Sequence, residues 1–310
     1  GKRGTGKSHT LGVLAEGLAA APGVTPTVID PMGEFGSLGE EHDPPRVRPD
    51  AIPPRAWPSL VGLDPTGAAG GLVWRAVART DELDAALAAL TESTEVDPSV
   101  VRVAHNHLER ARRWGVFDSS GIDPARFTDP EPLVLNCAGL PEPATNAVCR
   151  AVARRCYERR VAGAGRRLPW LVVDESHVVF DGVAAPALDR LYTRGRTPGV
   201  SVVCATQRPA ALPSVAVSQA DLVVAHAVRS GADRDRLVAA RPDAERLRDR
   251  IPDERGTAVV ADDATETTVT VRVRDRRTTD GGASPRASDF ADRDSADAGG
   301  SAASAAPDGE

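Results

Sequence analysis

The first eight residues, GKRGTGKS, constrain the fold more than any other part of the sequence, because they match G-x-x-x-x-G-K-[ST] with Gly1, Gly6, Lys7 and Ser8 in register. Glycines let successive backbone N–H groups turn inward around a phosphate chain, and the positive end of a following helix adds to that field. Leu11, Leu14 and Leu18 recur at helical spacing until Pro22 and Gly23, so the loop opens directly into a helix. The strand that should lead into such a loop is expected upstream of Gly1. The only methionine is Met32, and the sequence is accordingly read as a fragment of a longer gene product.

Downstream, short apolar runs alternate with helical patterns. TPTVIDP at 25–31 reads as a buried strand ending at Asp30, followed by an MGEFG turn. LVLNCAGL at 133–140, PWLVVDESHVVF at 169–180, GVSVVCATQ at 199–207 and DLVVAHAV at 221–228 read as further strands, with helices expected at 143–162, 184–194 and 233–249. This alternation indicates an α/β fold with a mainly parallel sheet and helices on both faces. Six prolines within 43–58 make that stretch an extended connector. Helical patterns at 71–79, 81–92 and 98–114 predict a helical insertion at about 60–128. Alternating Thr, Val and Arg at 257–260 and 267–274 predict a terminal hairpin, and residues 280–310 are expected to be a disordered acidic tail.

Lys7 is expected to reach the β- and γ-phosphates of a bound nucleotide and Ser8 to ligate Mg2+, with Gly4, Thr5 and His9 completing the nucleotide-binding run. Hydrolysis needs carboxylates as well, and Leu171-Val172-Val173-Asp174-Glu175 supplies them at the C-terminal end of a buried strand, where open α/β sheets bind ligands. Asp174 is read as holding Mg2+ through water, and Glu175 as orienting and activating the attacking water. The next strand ends in Ala205-Thr206-Gln207-Arg208-Pro209, which puts Gln207 where it can sit beside the γ-phosphate and report its loss; solvation of a strand tip is the plain alternative. Asp30 and Glu34 receive no chemical step, since turn formation accounts for them. His105 and His107, spaced i, i+2, cannot share a helix face as metal ligands. His177 is read as packing or hydrogen-bonding near Asp174.

The net charge of -6 comes from 38 basic against 44 acidic side chains and at face value speaks against nucleic-acid binding. Residues 280–310 alone hold seven acids and two arginines, leaving the preceding 279 residues nearly neutral, with 36 basic against 37 acidic side chains. Within them, Arg150, Arg154, Arg155, Arg159, Arg160, Arg166 and Arg167 stand against the single Glu158. That stripe either tracks phosphates non-specifically or forms a solvated face balanced by acidic neighbours. Arginine outnumbers lysine 36 to 2, and Lys7 occupies the one position where a compact ammonium must fit beside phosphates. The four cysteines form no C-x-x-C pair, which fits reduced thiols in a cytoplasmic protein without structural zinc. No apolar run approaches the roughly 20 residues of a membrane span.

GKRGTGKS, VIDPMGEF at 28–35, LVVDESH at 171–177 and RGRTPGVSVVCATQRP at 194–209 together resemble the HerA and FtsK group of P-loop motor ATPases, and the smaller motifs move the resemblance towards HerA. The resemblance spans about residues 1–279 and implies a RecA-like P-loop core of the additional-strand type, with 60–128 in the position of the family's variable insertion. It implies ATP and Mg2+ as ligands, a homo-hexameric ring, ATP-driven translocation on duplex DNA, and an end-resection nuclease as partner. In rings of this class an arginine from one subunit stabilises charge at the γ-phosphate held by the next. Arg194 and Arg196, just before the strand that ends at Gln207, are the candidates. The family's small N-terminal barrel is not within these residues, either truncated away or never present, and the sequence departs from the family in Ser176, where a small Ala is common, and in a loosely matching TTDGGASP segment at 278–285.

The favoured reading is therefore an ATP-hydrolysing, ring-forming DNA translocase or helicase. Conjugative coupling or secretion ATPases share the core motifs and form the nearest alternative. A nucleotide-dependent interaction module that does not translocate is the alternative from a different class. A small-molecule kinase is disfavoured, because the Asp-Glu pair with Gln207 suits activation of water.

Overall fold

Parallel strands covered on both faces need near-continuous apolar sequence, and the central strand has it. β1 (Val24–Asp30) is buried from Thr25 onward. It is flanked by β3 (Leu133–Asn136) and β4 (Leu168–Val173), with Val28 in register with Val134 and Val172. β2 (Glu40–His42) and β5 (Ser201–Cys204) close the edges, giving the order β2-β3-β1-β4-β5 with every neighbouring pair parallel. The computed structural model describes residues 6–228, 231–233, 235, 250–252 and 254–279. The expected tail at 280–310 lies outside the described residues, as does the expected helix at 233–249 apart from Asp233 and Asp235.

Alternation of side chains along the strands sorts the core into two layers. Val28, Val134 and Val172 pack with Phe35 and with Leu11 of α1 (Lys7–Ala20) on one face. Ile29, Leu133, Leu135, Leu171 and Val173 belong to the other layer, which they share with α6 (Glu142–Val161) and α7 (Ala185–Arg194).

Between β2 and β3 the chain builds a helical unit. α3 (Ala68–Val77), α4 (Leu83–Thr91) and α5 (Pro98–Arg112) pack on one another and bury Leu72, Val73, Leu87, Leu90 and Leu108 within the same core as α6. α5 starts at Asp97-Pro98 because the Asp97 carboxylate accepts a hydrogen bond from Ser99 N at 2.7 Å, while Pro98 needs no partner in a first turn. The proline-rich stretch, expected to be extended, is partly helical instead. Pro49–Ala51 and Pro54–Ala56 are tight helical turns and Trp57–Leu60 is a short helix, α2. Its prolines at 49, 54 and 58 lie in first turns, where a missing N–H goes unneeded. Trp57 is almost wholly buried, its ring centroid 4.7 Å from that of Phe117.

The last strands pair differently from a continued parallel sheet. The expected hairpin forms as β7 (Thr257–Asp262) and β8 (Thr267–Arg272), and it recruits β6 (Leu222–Ala225) as an antiparallel third strand. Ala225, Val259 and Ala261 bury one another there, giving the Leu222–Ala225 run a core of its own. β5 remains an edge of the parallel sheet, with its side chains only half buried. Beyond β8 the chain crosses α1, where Glu16 accepts hydrogen bonds from the backbone of Arg277 at 2.7 Å and Thr278 at 2.8 Å and pairs with Arg274 at 2.7 Å.

β3, β4 and β5 stop earlier than expected, at Asn136, Val173 and Cys204. All the parallel strands point the same way, so their C-terminal ends gather Asp30, Asn136, Asp174 and Ala205 along one edge of the sheet.

Candidate active site

Gly6 precedes α1 with φ of 99°, a left-handed conformation open to glycine and strained for other residues. The turn it allows is closed by Thr10 N donating to the Gly6 carbonyl at 2.8 Å, so the helix starts at Lys7. Gly1, Gly4 and Thr5 lie outside the described residues. Burial lowers the pKa of the Lys7 ammonium, while the negative charges of Glu175, Asp174 and Glu34 oppose that shift. Ser8 Oγ donates to Asp174 Oδ2 at 3.3 Å across 166 residues of sequence. His9 donates from Nε2 to the Arg274 carbonyl at 2.9 Å, so its ring is engaged with the chain that follows β8.

Asp174 is 1% exposed, and burial pushes its carboxyl up to about 6; the charges of Glu175 and Glu34 add to that, while hydrogen bonds from Glu175 N and Ser8 oppose it. Glu175 N donates to Asp174 Oδ1 at 2.9 Å. Glu175 itself has φ of 42° and ψ of 43°, a left-handed backbone that costs a non-glycine residue about 1 kcal/mol or more. Ser176 N donates to the Ala205 carbonyl at 2.8 Å, which carries the β4–β5 pairing past the strand ends and brings Gln207 beside Glu175. Gln207 Nε2 donates to Glu175 Oε1. The other oxygen, Oε2, is buried and lacks a hydrogen-bond partner, with His177 Nδ1 3.3 Å away but without hydrogen-bond alignment. His177 Nδ1 is also 3.3 Å from Thr206 Oγ1, so it bridges the ends of β4 and β5.

Asp30 forms the turn expected of it from the sequence. Its Oδ1 accepts from Met32 N at 3.2 Å and Gly33 N at 2.8 Å, and its Oδ2 from Phe35 N at 2.9 Å. This cage folds the loop that carries the charge of Glu34 towards Lys7 and Asp174. The Asp-x-x-Gly spacing was the available signal, because Asp commonly caps the amides that follow it.

Arg194 and Arg196 stand apart from these groups. Both are exposed, and neither makes an ion pair or side-chain hydrogen bond among the described residues. They lie at the end of α7, before the N-terminal end of β5, whereas Gln207 follows its C-terminal end, about 13 Å of strand away. Gly195 between them is required by close approach, since a Cβ there would lie 2.4 Å from the Leu191 carbonyl oxygen and 2.7 Å from that of Val200.

Most of the arginine stripe is tied to the protein itself. Arg154 donates to the Asp50 and Ala51 carbonyls at 3.1 Å, Arg160 to the Pro198 carbonyl at 2.9 Å and Arg167 to the Val24 carbonyl at 2.6 Å. Arg159 donates to Thr128 Oγ1 at 2.9 Å, Arg155 pairs with Asp50 at 2.8 Å, and Arg150 donates to the Val183 carbonyl. These guanidinium groups join segments that β-strands and helices leave apart. Arg166 is exposed.

The site thus holds a helix N-terminus with an ammonium for anions, a hydroxyl and a buried carboxylate within 3.3 Å of each other, and a second carboxylate oxygen left open. The family model for the central domain of helicase HerA matches residues 1–66 of the chain. Among solved structures, VirB4 of Thermoanaerobacter pseudethanolicus superposes with a TM-score of 0.66 at 15% identity, covering 88% of this chain and 87% of that one. The bacterial conjugative coupling protein TrwBdeltaN70 superposes with a TM-score of 0.59 at 15% identity, covering 92% of this chain and 85% of that one. The chain shares the α/β fold of these two proteins. A search of curated protein sequences gives no match. No helix among the described residues is long and apolar enough to cross a membrane.

Proposed function

We propose that the chain binds ATP at the N-terminus of α1 and hydrolyses it, and that it works as a subunit of a homo-hexameric ring that moves duplex DNA. The observation that carries the hydrolytic reading is Glu175, whose Oε1 is held by Gln207 while its buried Oε2 is left without a hydrogen-bond partner beside the Lys7 ammonium's acidic cluster. Lys7 and the first amides of α1 bind and orient the phosphates. Glu175 Oε2 accepts a proton from the attacking water, and the Gln207 bond keeps that oxygen turned to the site. Loss of the γ-phosphate frees Gln207 to move, and the loop from Thr206 onward carries that change outward.

The residues present fit a hard divalent cation, because Ser8 and Asp174 offer oxygen donors 3.3 Å apart and Asp174 lies beside the like charges of Glu175 and Glu34. Ser8 directly and Asp174 through water would hold Mg2+, which when bound neutralises charge on the phosphate oxygens. Arg194 and Arg196, exposed and distant from their own site, suit a role at the nucleotide of the neighbouring subunit.

Residues 1–279 are read as one ATPase domain with its insertion at about 60–128, acting in the cytoplasm with an end-resection nuclease. A conjugative coupling or secretion ATPase is the second reading, favoured by the fold shared with VirB4 and the conjugative coupling protein. Steady-state ATP hydrolysis, with and without duplex DNA across a salt series, tests the proposal. Stimulation that weakens with salt is expected. Hydrolysis indifferent to DNA at every salt would remove the translocase and leave the ATPase.

A further inference from the structure

The phosphate loop is braced from a direction that its own motif does not specify. His226 follows β6 and is 5% exposed. Its Nδ1 lies 3.0 Å from the carbonyl oxygen of Thr257, the first residue of β7, and since a carbonyl only accepts, Nδ1 carries the proton. On a neutral ring that leaves Nε2 as an acceptor, and Thr10 Oγ1 is 2.8 Å from it, so the threonine hydroxyl donates. Burial lowers the pKa of His226, and the Lys7 charge adds to that, which keeps the ring in this neutral form. The ring also packs on the loop itself: its Cε1 is 3.7 Å from where a Cβ on Gly6 would stand.

Thr10 is the residue whose amide closes the first turn of α1 onto the Gly6 carbonyl. Holding its side chain therefore holds the turn that contains Lys7 and Ser8. Both ring nitrogens are committed, one to the β6–β7 sheet and one to the phosphate-binding turn, so the ring links the two.

We propose that His226 is a positioning residue for the phosphate loop, a neutral two-ended tie through Thr10 that fixes the first turn of α1 against the β6–β7–β8 sheet and so sets affinity for the nucleotide. The inference rests on the reading that α1 binds ATP. It also makes the antiparallel sheet sensitive to nucleotide, because any adjustment of the turn on phosphate binding is passed to Thr257 through the ring.

The experiment uses His226→Asn, His226→Gln and Thr10→Val in the full chain, with equilibrium titration of a fluorescent ATP analogue and thermal unfolding of each protein. Asn retains a donor near the Nδ1 position and places nothing at Nε2, whereas the longer Gln amide reaches the Nε2 position. His226→Asn and Thr10→Val are expected to weaken ATP binding by about fivefold each, the worth of one hydrogen bond, and the double variant by no more than either alone. His226→Gln recovers most of the affinity. Thr10→Val keeps the ring in place and so stands in if the histidine variants fold poorly. Affinity unchanged in Thr10→Val, with only the unfolding temperature lowered, would overturn the tie and leave His226 a packing residue. Absence of ATP binding by the unsubstituted chain would instead overturn the proposed function and this inference with it.

Discussion

Replacing Asp174 by Asn should make the nucleotide-free protein more stable while removing its hydrolysis. The Asp174 carboxyl, 1% exposed, is raised from an ordinary value of 3.8 to about 6, mainly by burial. The folded chain thus keeps this proton to a higher pH than the unfolded chain does. Stability from the neutral carboxyl is complete below about pH 4 and is lost as pH rises through about 6. The shift is worth about 3 kcal/mol at about pH 8 and about 1 kcal/mol at about pH 4.5. Asn is neutral throughout, is close to Asp in size, and can still accept from Glu175 N and meet Ser8 Oγ. Urea unfolding in EDTA should therefore show Asp174→Asn more stable by up to about 3 kcal/mol at about pH 8, with the gain shrinking towards acid. With Mg2+ and ATP added the gain should shrink, because the cation held through Asp174 stabilises the parent protein more than the variant. A variant no more stable at about pH 8, or a gain that stays constant down to about pH 4.5, would refute the argument from buried charge.

Arg196→Ala should keep ATP binding and lose turnover, and doping it into rings of unsubstituted protein should lower the rate more than in proportion; normal hydrolysis by the assembled variant would remove the trans assignment. Arg160→Ala strips donors from the Pro198 and Gly165 carbonyls, at 2.9 Å and 3.0 Å, and should cost about 2 kcal/mol in urea unfolding while the salt dependence of DNA binding stays the same. Burial pushes the thiols of Cys137 and Cys156 to about 12 and that of Cys204 to about 11, so all three should resist iodoacetamide at neutral pH and react on unfolding. Mass spectrometry of the alkylated native protein checks this.

The parts of the site legible in the sequence are those whose geometry is set locally. GKRGTGKS fixes a turn and a helix start within a few residues, and LVVDE fixes carboxylates at a strand end, so Lys7, Ser8, Asp174 and Glu175 could be named from spacing alone. Gln207 followed because parallel strands align their ends, and β4 and β5 are neighbours. His226 could not be found this way, since its partner Thr10 lies 216 residues off and only the β6–β7 pairing brings them together. That pairing was itself illegible, because LVVA serves a parallel or an antiparallel ladder equally well. The contacts of the arginines between 150 and 167 were hidden for a related reason. Charge density is visible in sequence, but the carbonyls of Asp50, Val24 and Pro198 that accept from those side chains come from distant segments. The prolines of 43–58 showed that no strand or long helix could form, yet first-turn positions let them sit in short helical turns.

The central claim is that Glu175 activates water for attack on ATP bound at Lys7. Phosphate release with Mg2+ and ATP, measured beside ATP binding for the parent chain and Glu175→Gln, tests it most directly. The account predicts that Glu175→Gln binds ATP as tightly as the parent and releases phosphate at least about a hundredfold more slowly. Equal rates of release by the two proteins would contradict it.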